Sequence, residues 1–271
     1  MSRHLDIDRG AFAAGFGRHA FLLRHHLAGH PLFSLERLIE LSRALPADRV
    51  EYNAGDLPIS VDPACTPRNG LSAEETIRRI RDCRSWLVLK NVEREPAYRE
   101  LLERCLGEID LPTREKQAYV FVSSPQAVTP YHMDPEENFL LQLRGRKIMH
   151  VFDPADRAVL SEREIERFFS GAHRNLAFRE EYRPKARSFE LTPGLAVHVP
   201  LAAPHWVQNG DEVSVSFSIT FQTAASMRRK HAHRMNARLR QLGLEPRPIG
   251  QSPLRDGFKQ LCYRLVRPRA A

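Results

Sequence analysis

The spacing of apolar and polar positions divides the chain near residue 112. Before that point helical intervals dominate. Apolar residues recur every three or four positions from Ser34 to Leu45 and from Pro96 to Ile109. The second stretch runs through Leu101, Leu102, Cys105 and Leu106, and Pro96 suits a first helical turn. Ser72-Ala73-Glu74-Glu75 has the form of a capping box that opens a helix toward Cys83. Arg84–Val92 is the one strand predicted here.

From residue 117 the period changes to short β-rich runs. They cover 117–124, 128–134, 138–143, 147–152, 187–191, 196–201, 206–208 and 213–221. One helix interrupts them, capped by Ser161 with Glu164 three residues on and stopped by Gly171. Eight short strands separated by turn signals favour a sandwich or barrel over alternating βαβ units. A final helix over 223–242 ends at Gly243, and Pro246 and Pro248 forbid its continuation. Three regions follow: a mostly helical 1–112 packing on the barrel, a β core over 113–222, and a helical tail over 223–271.

Composition narrows the classes. With 271 residues, 42% hydrophobic and 27% charged, the chain is globular rather than disordered or collagen-like. No stretch approaches the roughly 18 apolar residues that span a membrane. The first dozen residues lack a signal core, and Cys65, Cys83, Cys105 and Cys262 are scattered without CxxC spacing. A reducing, cytoplasmic setting is the expectation. The net charge of +8 is concentrated: residues 226–271 hold twelve Lys/Arg against Glu245 and Asp256. Such a tail suits nucleic acid or an acidic partner, although a solvated basic helix is the simpler account. Met227, His231, Met235, Leu239 and Leu242 recur at helical spacing and could pack on the body or on a second subunit.

The candidate chemistry lies in the β region. His132 and Asp134, two apart on an extended chain, leave the same face, close enough to share one cation. With His205, 73 residues on, they would supply the two imidazoles and one carboxylate of a facial triad. A lone His-x-Asp is a weak signal. His4-Leu5-Asp6 repeats it without strand context and serves as an internal control. Lys147 shares the period-2 face of Met149 and Val151; either an anion meets it, or it lies at a strand start and reaches solvent. In the last strand Val213, Val215, Phe217, Ile219 and Phe221 alternate with Ser214, Ser216, Ser218 and Thr220. The hydroxyl face could line a ligand cavity or simply face water.

These residues resemble the JmjC/cupin-like (cupin-8 type) Fe(II)- and 2-oxoglutarate-dependent oxygenases, most closely the asparaginyl-hydroxylase branch and its bacterial relatives. The resemblance implies a double-stranded β-helix (jelly roll) that is mainly β with flanking helices, taking Fe(II), 2-oxoglutarate and O₂. It implies a metal triad of His132, Asp134 and His205. Thr129 and Asn138 match cosubstrate-pocket residues, and Lys147 matches the lysine that pairs with the distal carboxylate. Ser218 falls near a position where relatives carry Asn, and Tyr119 stands for an upstream tyrosine that some relatives contribute. Ala203-Pro204 before the third ligand departs from the aromatic residues often found there.

The implied reaction hydroxylates a C–H bond with release of succinate and CO₂, or demethylates where that carbon is an N-methyl group. The favoured substrate is a peptide or protein side chain, with small molecules as the alternative. C-terminal helices often pair subunits in this family, which implies a homodimer. Two competing accounts are a non-catalytic cupin-like module with its tail on DNA, and a metal cupin enzyme that does not use 2-oxoglutarate.

Overall fold

The structure, a computed structural model, describes residues 3–62 and 67–266. Four strands come from the N-terminal region: β1 (Leu5–Asp6), β2 (Phe21–His25), β3 (Val50–Ala54) and β4 (Ser85–Lys90). Eight follow: β5 (Arg114–Ser123), β6 (Val128–His132), β7 (Glu137–Arg144), β8 (Lys147–Val151), β9 (Arg187–Leu191), β10 (Leu195–Val199), β11 (His205–Asn209) and β12 (Ser214–Gln222). The helices are α1 (Arg9–Gly15), α2 (Leu35–Ala44), α3 (Ala73–Arg78), α4 (Pro96–Gly107), α5 (Glu162–Phe169), α6 (Ala224–Gln241) and α7 (Pro253–Val266).

The strands build two antiparallel sheets. The larger runs β1-β2-β10-β7-β12-β5-β4-β3 and the smaller runs β6-β11-β8-β9. Leu140, Val197 and Val199 of the larger sheet meet Met149, Val151, Leu191 and Val207 of the smaller across a shared lumen. The strand pattern implied a sandwich or barrel, and the observed architecture is the mainly β, helix-flanked one that the cupin-like resemblance implied. Gly145 turns the chain between β7 and β8 at φ +70°, where a Cβ would collide with the Val213 carbonyl oxygen.

The outer face of the larger sheet carries the main core. Val120, Val122, Phe139, Leu141, Val215, Phe217, Ile219 and Phe221 pack there against Leu38 and Leu41 of α2, Ile77 of α3, and Tyr98, Leu101 and Leu102 of α4. Burying each such side chain contributes about 1.5–3 kcal/mol. The alternation of β12 is therefore resolved. Its apolar set faces the helices, and Ser214, Ser216, Ser218 and Thr220, each at most 4% exposed, face the lumen rather than water.

The N-terminal region differs from its sequence pattern. Its helices do pack on the sheet, but β1 and β2 extend one edge of that sheet and β3 and β4 the other. The two-residue β1 and the half-buried, non-alternating β3 have no periodicity of their own. Pairing with β2 and β4 makes them strands. Helix α3 stops at Arg78, short of Cys83, in a run of turns. Both predicted caps of α5 form: Ser161 accepts from Glu164 N–H, and the Glu164 carboxylate accepts from Ser161 N–H. Cys65 lies outside the described residues.

Candidate metal centre

Strand pairing brings the triad together. On β6 and β11, His132 and His205 are direct antiparallel partners. Their ring centroids lie 4.1 Å apart. Asp134 stands two residues past His132, fixed by Ala202 N–H donating to its carbonyl oxygen at 2.9 Å. Its Oδ1 lies 3.7 Å from His132 Nε2 and its Oδ2 3.6 Å from His205 Nε2. One donor atom from each residue falls within 4.8 Å of the others, the only such group of three among the described residues. His4 takes no part: its backbone N–H donates to Glu108, and its imidazole lies outside the group.

The donor chemistry fits a divalent metal. His132 Nδ1 sits 2.7 Å from the Pro130 carbonyl oxygen, and His205 Nδ1 sits 2.9 Å from that of Ala203. Carbonyls only accept, so each ring carries its proton on Nδ1 and turns the Nε2 lone pair toward Asp134. Burial, then the neighbouring imidazole and Arg174, hold His132 well below its ordinary pKa; burial also lowers His205. Burial alone would raise the Asp134 carboxyl, but it lies lowered, and the Arg174 guanidinium that hydrogen-bonds it favours its charged form. Two neutral imidazoles and one carboxylate are the protonation states that coordinate.

The expected pocket residues share the lumen. Lys147 pairs with Asn209 on β11 and Leu191 on β9, on the same face as Met149 and Val151. It is 5% exposed and has no hydrogen-bond or ion-pair partner among the described residues. Burial pushes its ammonium down to about 7. Thr129 lies opposite Val207 while His132 lies opposite His205, so β6 has one residue more than β11 between them. That bulge turns Thr129 and His132 to one face, although their odd spacing would otherwise put them on opposite faces. Ser218 donates its hydroxyl to Asn138 Oδ1 at 2.8 Å, and Tyr119 donates to Gln117 Oε1 at 2.6 Å. Ser218 and Tyr119 are register partners on β12 and β5, so both face the lumen.

Two neighbours, Arg174 and Glu136, escaped the sequence pattern, and a third, Thr220, was visible only as part of the hydroxyl face. Arg174 Nη1 donates to Asp134 Oδ1 at 3.0 Å from 40 residues away, and only folding brings it there. Glu136 is pushed up to about 7 by burial and by the Asp134 carboxylate. Thr220, opposite Asn138, is buried on the lumen face with no partner for its hydroxyl among the described residues. The β12 alternation already carried the signal for Thr220, which is in phase with Ser218.

Comparison with known proteins bears on the fold and the family. The X-ray structure of E. coli ycfD matches with a TM-score of 0.55, over 99% of this chain and 70% of that chain, at 16% identity. E. coli YcfD described as a ribosomal oxygenase in complex with cobalt and 2-oxoglutarate matches with a TM-score of 0.54, over 98% and 68%, at 14% identity. At these identities the likeness is one of fold. Lysine-specific demethylase 8 of Danio rerio is 28% identical over 123 residues, 43% of this chain and 29% of that protein, so the chain spans under a third of that relative's length. Residues 74–227, more than half of the chain, match the cupin-like domain model, and the protein belongs to the cupin-like domain family.

Proposed function

We infer that the protein is an Fe(II)- and 2-oxoglutarate-dependent oxygenase that hydroxylates a C–H bond and releases succinate and CO₂. One observation carries the reading: Lys147, a buried cation with no counter-ion among the described residues, faces the lumen that also receives the His132–Asp134–His205 group. An uncompensated buried ammonium costs several kcal/mol, and a dicarboxylate cosubstrate would offset that cost. That YcfD is described in complex with cobalt and 2-oxoglutarate supports the choice.

In this reading His132, Asp134 and His205 would hold the ferrous ion. The bound ion and 2-oxoglutarate together supply the oxidising chemistry. The chain's own residues bind and position. Lys147 pairs with the distal carboxylate, and Thr129, Asn138, Ser218, Thr220 and Tyr119 offer hydroxyl, amide and phenol groups around the cosubstrate. Met149, Val151 and Val207 line the lumen and keep water from the reacting end. A peptide or protein side chain is the proposed substrate, supported by the lysine named in the demethylase relative and the ribosome named for YcfD.

Incubation with Fe(II), ascorbate and 2-oxoglutarate, first alone and then with cell extract, tests the function. Succinate should form and increase with extract, and the Asp134→Ala protein should form none. Equal succinate from both proteins would contradict the proposal.

A further inference from the structure

The Asp134 carboxylate has two oxygens that the imidazoles do not tell apart. Oδ1 lies 3.7 Å from His132 Nε2 and Oδ2 lies 3.6 Å from His205 Nε2. Arg174 does tell them apart. Its Nη1 donates to Oδ1 at 3.0 Å, and no donor reaches Oδ2 among the described residues. A guanidinium that met the carboxylate squarely would cover both oxygens with two parallel N–H groups. Here one N–H takes one oxygen, and the other keeps its lone pairs.

Arg174 is no loose surface cation. Its own backbone is zipped to the chain that carries the ligands. The Met133 N–H donates to the Arg174 carbonyl oxygen at 3.2 Å, and the Leu176 N–H donates to that of Tyr131 at 3.0 Å. Between them Asn175 forms an antiparallel bridge with His132. The Asn175 side chain in turn donates to the Val61 carbonyl oxygen at 3.2 Å, which ties this short stretch to a second segment. The Asp134 side chain is 16% exposed against 45% for Arg174, so the pair sits at the rim with its carboxylate end inside. An exposed ion pair between two mobile side chains contributes little, whereas this one joins two fixed backbones over a nearly buried carboxylate.

We propose that Arg174 is a positioning residue for the metal group, a role that rests on the reading of His132, Asp134 and His205 as its ligands: Arg174 keeps Oδ1 and leaves Oδ2 to the ion. A carboxylate can give a divalent cation one oxygen or both. The guanidinium opposes the second oxygen twice over, by occupying its lone pair and by like charge. Without Arg174 both oxygens are free to turn to the ion. The ion is then held more tightly and has less room for 2-oxoglutarate. Those are opposite changes, and a residue that merely braced the fold would weaken both.

The test uses the full-length chain with Co(II), whose visible absorption reports its ligands. Arg174→Met keeps the length of the side chain and removes the donor. Calorimetry should show Co(II) bound about tenfold more tightly than in the unaltered protein, and 2-oxoglutarate bound about tenfold more weakly once Co(II) is in place. The Co(II) bands should change shape, and Arg174→Lys should restore the bands and both constants. Arg174→Gln, a milder change at the rim, should move the constants in the same directions as Arg174→Met, and far-UV spectra of all three should match the unaltered protein. Constants and bands unchanged in Arg174→Met and Arg174→Gln would overturn the proposal and leave the metal site standing. Weaker binding of Co(II) and 2-oxoglutarate alike would also overturn it, making Arg174 a structural brace. Failure of the unaltered protein to bind Co(II), or undiminished binding in Asp134→Ala, would instead end the metal reading itself.

Discussion

Lys147 and His205 look into one lumen from adjacent strands, with Val151 opposite His205 and Lys147 four residues further along β8. Four extended residues span about 13 Å. A five-carbon dicarboxylate fits that interval once the lysine side chain and the bonds at the metal take up the remainder. Lys147→Ala should therefore raise the 2-oxoglutarate dissociation constant by about 10–100-fold, the loss expected for one charge-assisted pair. Isothermal titration calorimetry checks it, and an unchanged constant would remove the lysine from the site.

The same lysine makes the free protein pH-sensitive. Burial lowers its pKa to about 7 from 10.5, so between those values the unfolded chain binds more protons than the folded one. Stability should thus rise with pH across that window, with the burial penalty complete below about 7. Lys147→Met should stabilise the cosubstrate-free protein by about 2–4 kcal/mol at pH 6, and the gain should fade toward pH 10. Urea titrations at several pH values measure this, and a gain independent of pH would place the ammonium in water.

Cosubstrate affinity should change in the opposite sense. Only the protonated lysine attracts a carboxylate, so 2-oxoglutarate binding should weaken up to about tenfold per pH unit above 7, with proton uptake on binding. Calorimetry in buffers of different ionisation enthalpy reads that uptake directly. A flat affinity from pH 6 to 9 would count against it.

Thr220 offers a separable test. Its buried hydroxyl has no partner among the described residues, so Thr220→Val should leave stability unchanged or raise it by about 1 kcal/mol. The same change should weaken 2-oxoglutarate severalfold, because the orphan donor faces Asn138 in the lumen. Thermal melts with and without 2-oxoglutarate distinguish the two effects. A variant destabilised in both states would mean that the hydroxyl is structural.

The chain displays its β core openly because short β-rich runs bounded by turn signals recur through it, and because the last run alternates strictly from Val213 to Phe221. The His132–Asp134 pair was legible from its spacing of two, although β6 ends at His132 and the Ala202 N–H holds Asp134 just beyond it. What stayed hidden depends on distance in sequence. Arg174 reaches Asp134 across 40 residues, and β3 becomes a strand only through β4. The bulge that aligns Thr129 with His132 is likewise a property of the pairing with β11 and leaves no mark in the residues themselves.

The central claim is that His132, Asp134 and His205 form one ferrous site and that 2-oxoglutarate joins it. Anaerobic titration of the Fe(II)-loaded protein with 2-oxoglutarate, followed by visible absorption, tests this most directly. A charge-transfer band should grow and saturate at one equivalent, shift to higher cosubstrate concentration in Lys147→Ala, and vanish in Asp134→Ala, whose metal affinity should fall more than about 100-fold. No band in the unaltered protein, or an undiminished band in Asp134→Ala, would contradict the account.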